Sequence, residues 1–145
     1  MAWTVAFHEE FDPEFEQLDA SVQDELLARA KLLEQFGPTL GRPWADTLKG
    51  SRHANMKELR FEAAGGVWRV TFAFDAARQA VLLVAGDKTG QSHRRFYTAL
   101  IGRADDRFDA WLAGTRKDKD DGRKSRGKAG KPATRPARQG RGARR

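Results

Sequence analysis

The chain has 145 residues, of which 32% are charged, 39% are hydrophobic and none is cysteine. This composition excludes a disulfide framework and a cysteine-based metal site, and with no long apolar run or secretory signal pattern we expect a cytoplasmic protein without a membrane partner. The formal net charge of +7 is uneven, because residues 115–145 hold thirteen basic and three acidic residues whereas residues 1–114 are acidic overall.

The N-terminal part of the sequence has the pattern of one strand followed by two helices. Residues 3–7 predict a short strand, and residues 9–18 predict a short helix. Ser21 has the side chain of an N-cap, and apolar residues then recur at helical spacing until Gly37, which is followed by proline and ends the helix. Residues 38–55 are rich in turn-forming residues and predict a loop.

Residues 56–74 have the pattern of a β-hairpin, in which two runs with period-2 alternation flank a short loop containing glycine. A four-residue loop sets Arg60 directly opposite Arg69, and the other face of the hairpin becomes a core surface. That surface consists of Leu59, Phe61, Trp68, Val70 and Phe72. Like charges at this spacing are destabilising, so the pair indicates a site for an anion. The alternative is that Glu58 and Glu62 balance two solvated arginines.

The remaining elements complete an α+β fold. Residues 79–85 are nearly all apolar and predict a central strand buried on both faces. An exposed loop follows, and residues 93–113 predict a last helix that Gly114 ends. The predicted order is β-α-α-β-β-β-α, with a mainly antiparallel sheet, an N-terminal α-hairpin and a C-terminal helix.

Composition changes sharply after Gly114, where large apolar residues disappear and glycine, proline, lysine and arginine dominate. A segment of this kind cannot bury enough apolar surface to offset the entropy lost on ordering. We therefore predict a folded domain over residues 1–114 and a disordered basic tail over residues 115–145. A basic run of this type binds polyanions without sequence preference.

Five short motifs occur together between residues 48 and 89. They are Leu48-Lys49, Lys57-Glu58-Leu59-Arg60-Phe61, Val67-Trp68-Arg69-Val70, Phe72-Ala73-Phe74, and Leu82-Leu83 leading to Asp87-Lys88-Thr89. This arrangement resembles the phage-derived HigB-like toxins of the RelE superfamily of bacterial type II toxin–antitoxin systems. The resemblance covers roughly residues 3–113 and leaves out the tail.

The resemblance implies a small endoribonuclease of the RelE-like fold that cleaves mRNA, usually in the ribosomal A site, without a metal or another cofactor. It also implies a cognate antitoxin, commonly with a helix-turn-helix, and contact with operator DNA only through the toxin–antitoxin complex. The alternative is a non-catalytic relative that binds nucleic acid as a repressor-complex or ribosome-associated subunit. A phage structural protein is a third hypothesis, which no residue pattern favours.

Metal-free RNA cleavage requires a base for the 2′-hydroxyl, an acid for the departing 5′ oxygen and cations that stabilise the transition state. The planar guanidinium groups of Arg60 and Arg69 suit the electrostatic role. The proton-transfer roles stay open among several side chains. The candidates are Lys57, Lys88, His53, His93 and Tyr97, and the further cations expected to bind RNA are Lys49, Arg52, Arg94 and Arg95.

Several of these residues also have a purely structural interpretation. His53 could be an ordinary loop histidine, and Tyr97 could belong to the core. Glu58 fits a role as partner of the neighbouring cations better than that of a base. Trp44 could stack on a nucleobase, although covering the core is the simpler interpretation. Asp87 departs from the more basic loop of the family and could repel RNA or orient the lysine that follows it.

Overall fold

A computed structural model describes residues 3–121, with side-chain surroundings through residue 115. The elements are β1 (Thr4–Phe7), α1 (Phe11–Glu16), α2 (Ala20–Phe36), β2 (Ala45–Thr47), β3 (Lys57–Ala63), β4 (Gly66–Phe74), β5 (Gln79–Asp87) and α3 (His93–Asp121). The predicted order therefore lacked one strand, because β2 lies within the segment predicted as a loop. A strand of three residues is too short to show alternation. Within the described residues, no helix is long and apolar enough to cross a membrane.

The five strands form one sheet in the order β1-β5-β4-β3-β2, in which only β1 and β5 pair in parallel. The predicted α+β class and mainly antiparallel sheet are confirmed. The hairpin register is also confirmed, because Arg60 lies opposite Arg69. The connecting turn is tighter than predicted: only Ala64 and Gly65 lie between the strands, both with positive φ. Two positive φ values are typical of the turns that fit the strand twist.

Helices cover both faces of the sheet. On one face, α1 and α2 pack against a core that contains the predicted hairpin surface, with Leu59 and Phe72 fully buried. On the other face, α3 packs on β5 and β4 and encloses a second core that includes Leu83 and Phe96. Because α3 lies over β5 and β4, the part of this face formed by β3 and β2 is bordered by the first turns of α3.

Three predicted helix ends can be compared with the structure. The side chain of Asp19, and not Ser21, caps α2 by accepting a hydrogen bond from the Ser21 N–H. Gly37 ends α2 as predicted, with a φ of 56°. Gly114 does not end α3, which runs to Asp121. A single glycine costs a helix only about 1 kcal/mol, so the glycine alone was a weak stop signal. The rest of the predicted tail, residues 122–145, lies outside the described residues.

A partly buried ion pair connects α3 to α1. Both amino groups of Arg107 donate to the carboxylate of Glu14, at 2.9 and 2.6 Å, and one also donates to the Leu83 carbonyl. These hydrogen bonds from Arg107 lower the pKa of Glu14, against the opposing effect of its partial burial. The pair fixes the position of α3 over the sheet.

The lowered pKa of Glu14 predicts a specific dependence of stability on pH. A carboxylate whose pKa is lower in the folded state stabilises the protein above its ordinary pKa of 4.5, and the contribution is lost as the pH falls below it. Glu14→Gln is expected to lower the melting temperature at pH 7 and to flatten its decline below pH 4.5, in thermal unfolding followed by circular dichroism. Glu62→Gln, at an exposed position of β3, is the matched control. Parallel pH profiles for the unmodified chain and Glu14→Gln would contradict the assignment.

Candidate active site

The two arginines lie on the same face of the sheet, as the hairpin register predicts. In β3, Leu59 and Phe61 face the core under α1 and α2. Alternation along a strand therefore directs Glu58 and Arg60 to the opposite face, toward α3. Arg69 lies directly across from Arg60 on β4 and contacts a residue of α3. The sheet thus gathers two guanidinium groups and one carboxylate beside the start of α3.

Glu58 is the centre of this group. Its carboxylate accepts a hydrogen bond from Arg60 Nη1 at 2.8 Å and one from the Tyr97 hydroxyl at 2.8 Å. Arg69 Nε lies 3.8 Å from the same carboxylate. Glu58 is only 3% exposed, and a buried carboxylate requires such partners. The prediction that Glu58 pairs with neighbouring cations is confirmed.

The two arginines differ in their access to solvent. The side chain of Arg69 is 8% exposed, and it donates from Nε to the Tyr97 hydroxyl at 3.1 Å and from Nη1 to the Trp68 carbonyl at 2.9 Å. The side chain of Arg60 is 28% exposed. Arg60 is therefore the member of the pair that can reach a phosphate directly, whereas Arg69 holds the Tyr97 hydroxyl in place.

Tyr97, on the first turns of α3, brings the catalytic candidates together. Burial, and then the hydrogen bond that its hydroxyl donates to Glu58, raise the pKa of Tyr97 above its ordinary 10.0, against the opposing effect of Arg69. The His93 ring lies one turn earlier on α3, with its centroid 4.8 Å from that of Tyr97. Lys88 Nζ lies 6.0 Å from the Tyr97 ring centroid. Three predicted candidates, Arg69, His93 and Lys88, therefore surround one phenol.

Two predicted catalytic candidates lie away from this cluster. Lys57 belongs to the same strand as Arg60, but its odd-numbered position puts it on the face of Leu59. His53 binds the Asp109 carboxylate through Nε2 at 2.8 Å. Since Asp109 follows Tyr97 by twelve residues on α3, His53 is bound about 18 Å along the helix from Tyr97. The structure does not bring either residue to the arginine pair, because alternation and long-range packing separate what sequence proximity groups.

The further cations expected to bind RNA fall into two classes. Arg52 forms ion pairs with Asp106 and Asp109 on α3, so its charge is compensated within the chain. The pKa of Arg52 is raised, chiefly by the hydrogen bond to Asp109. Lys49, three positions before Arg52, is exposed. Exposed Arg94 and Arg95 line a surface depression at the first turn of α3, together with Ser92, Thr98 and Ala99.

Asp87 stabilises the loop that carries Lys88. Its carboxylate accepts hydrogen bonds from the backbone N–H groups of Val67 and Thr89, at 3.0 and 2.9 Å. Burial acts to raise the pKa of Asp87, but the hydrogen bonds from Thr89 and Val67 outweigh it and lower the pKa. The carboxylate is thus used to join the end of β5 to the start of β4, which accounts for the departure from a basic loop.

The main feature that sequence reasoning missed is that one carboxylate serves Arg60, Arg69 and Tyr97 at once. The available signal was position: Glu58 and Arg60 share a strand face, and the confirmed register puts Arg69 opposite. Nothing local predicts that Tyr97 reaches this carboxylate, 39 positions away in the sequence. Within residues 3–115, no group of three histidine, aspartate or glutamate side chains is arranged to hold a metal ion.

Comparison with known proteins relates this arrangement to a family. Residues 13–109 match the family "Phage derived protein Gp49-like". The chain is 45% identical over 97 residues to the candidate toxin HigB2 of Mycobacterium tuberculosis, covering 66% of this chain and 48% of HigB2. It is 54% identical over 82 residues to the candidate toxin HigB3 of the same organism, covering 57% of this chain and 69% of HigB3.

A solved structure shows the same fold. A mutant of the E. coli toxin RelE in the free state aligns with a TM-score of 0.52 and 14% identity, over 71% of this chain and 98% of RelE. The chain spans about half the length of HigB2. The predicted resemblance to HigB-like toxins is confirmed: the chain belongs to the phage-derived Gp49-like family, is similar to HigB2 and HigB3, and shares the fold of RelE.

Proposed function

We propose that the chain is the toxin of a type II toxin–antitoxin system and cleaves mRNA as a metal-independent endoribonuclease in the cytoplasm, on the ribosome. The names of the two relatives support a toxin. The observation that carries the nuclease proposal is the cluster in which the Tyr97 hydroxyl bridges Arg69 and Glu58 beside the more exposed Arg60. A cognate helix-turn-helix antitoxin is the proposed partner, and operator DNA is contacted only through the complex of the two proteins.

The proposed reaction moves two protons, forms one bond to phosphorus and breaks another. The 2′ oxygen of the substrate forms a bond to phosphorus while the bond to the 5′ oxygen breaks, which leaves a 2′,3′-cyclic phosphate and a 5′-hydroxyl. Because the pKa of Tyr97 is raised, its phenolate is not available at neutral pH. The phenol instead takes the 2′ proton while passing its own proton to Glu58, to which it already donates. The 5′ oxygen receives a proton from Lys88 or His93.

The charges around the phosphate divide into two functions. Arg60 binds the non-bridging oxygens, where negative charge grows in the transition state. Arg69 stays in its buried position and orients the phenol through the hydrogen bond from Nε to the Tyr97 hydroxyl. Exposed Arg94, Arg95 and Lys49 bind more distant phosphates of the strand, whose contribution falls with added salt.

The proposal is tested by incubating the purified chain with translating ribosomes and mapping new 5′ ends on the mRNA. We expect discrete cuts that carry 5′-hydroxyl groups, and loss of each cut when the ribose at that site lacks its 2′-hydroxyl. Cleavage of free RNA in the presence of a chelator tests metal independence separately. Binding of RNA without any new 5′ end would favour the alternative function, a non-catalytic nucleic-acid-binding subunit.

A further inference from the structure

The side chain of Trp44 is exposed to solvent. Among the described residues, only Phe36 and Trp44 are large apolar side chains with high exposure, at 45% and 42%. Trp44 belongs to neither of the two hydrophobic cores found in this part of the chain. The expectation that it covers the core is therefore wrong, and its indole has a free surface.

The backbone fixes Trp44 beside Arg60. The Arg60 N–H donates to the Trp44 carbonyl at 2.9 Å, just before β2, whose first residue pairs with Leu59. Adjacent strands lie about 4.8 Å apart, so the two backbones are separated by one strand spacing. Since β2 is the edge strand of the sheet, Trp44 stands at the open border of the face that carries the arginines.

Trp44 immediately precedes β2 and lies in a turn, where its N–H donates to the Gly41 carbonyl. Ala45, the first residue of β2, is fully buried in the core under α1 and α2, and Asp46 after it pairs with Glu58 on the opposite face. Trp44 therefore lies at the edge of the sheet next to Arg60 and borders the candidate site.

We propose that Trp44 is a stacking platform for one nucleobase of single-stranded RNA, namely a base next to the phosphate that Arg60 binds. This inference rests on the proposed function and adds a substrate-binding residue to it. An exposed tryptophan whose backbone is bonded to that of an arginine matches the combination of aromatic surface and cation that holds single strands. Stacking accepts any base, so Trp44 supplies affinity and positions the strand without selecting its sequence.

The test measures binding separately from cleavage. In a Tyr97→Phe background, which is expected to cut RNA at least about 100-fold more slowly, a labelled single-stranded oligoribonucleotide is titrated with and without Trp44→Ala. We expect Trp44→Ala to raise Kd by about 5- to 150-fold. The same strand in a perfect duplex should bind both proteins equally, because its bases are already stacked. Trp44→Phe should retain most of the affinity. Its tryptophan fluorescence should be quenched less by RNA than that of the chain with Trp44.

The controls distinguish stacking from other roles of an exposed tryptophan. Phe36→Ala removes the other exposed aromatic, at the end of α2, and should leave both RNA affinities unchanged. Equal affinity for the single strand with and without Trp44→Ala would overturn the inference and is the result expected if Trp44 docks a protein instead. In that case, ribosome-dependent cleavage by the unmodified chain would still support the proposed function. Equal losses on single strand and duplex would also overturn it. If the unmodified chain neither binds nor cuts RNA, the proposed function fails together with the inference.

Discussion

Tyr97→Phe is expected to lower the rate of RNA cleavage by about 10²- to 10⁴-fold, the usual contribution of a positioned proton-transfer group. The substitution removes one oxygen atom, and with it the hydrogen bonds from Arg69 and to Glu58. The ring remains in contact with His93 and Lys88, so the surroundings are otherwise preserved. Single-turnover cleavage of a defined mRNA on the ribosome measures the effect without interference from product release.

The matched control for Tyr97→Phe is Thr98→Ala, which removes an exposed hydroxyl from the next position of α3. Its cleavage rate should equal that of the unmodified chain. The raised pKa of Tyr97 adds a second expectation: the phenol keeps its proton beyond pH 10, so the rate should not fall between pH 7 and 9 through ionisation of Tyr97. A Tyr97→Phe variant that cuts as fast as the unmodified chain would refute the proton relay and return the base to the other candidates.

The hairpin could be predicted from the sequence because its signal is local. Alternation in two adjacent runs and a short glycine-containing loop determine which residues face each other, and this was sufficient to place Arg60 opposite Arg69. A one-residue slip would have exposed Leu59 and Phe61, so burial of one face specifies the register strongly. The family resemblance rested partly on the same segment.

The environment of the pair could not be predicted, because it depends on where α3 crosses the sheet. The contact between Tyr97 and Glu58 joins residues 39 positions apart, and the contact between His53 and Asp109 joins residues 56 positions apart. Both are determined by the packing of α3 on β4 and β5, about which local patterns give no information. Nearness in the sequence therefore included His53 and Lys57 among the catalytic candidates, and the fold places them elsewhere.

Arg60→Ala is expected to raise the barrier to cleavage by about 2.7–4 kcal/mol, a loss of 10²- to 10³-fold in rate, if Arg60 resembles a single donor of an oxyanion hole. Partial exposure leaves Arg60 able to exchange its contact with Glu58 for a phosphate oxygen as the substrate enters. In cells, inducible expression of Arg60→Ala should permit growth and translation under conditions in which the unmodified chain arrests them. Single-turnover cleavage gives the corresponding rate ratio.

Arg60→Lys and Lys31→Ala complete the design of this experiment. Lysine keeps the charge but lacks the planar fork of donors, so Arg60→Lys should recover part of the rate and no more. Lys31 is an exposed cation on α2, across the sheet from the site, and Lys31→Ala tests whether loss of any surface charge would have the same effect. Growth arrest by Arg60→Ala equal to that by the unmodified chain, at matched protein levels, would show that the phosphate is bound elsewhere. Arg94 and Arg95 would then be the residues to replace next. Both are exposed at the first turn of α3, and no ion pair of either is found within the described residues.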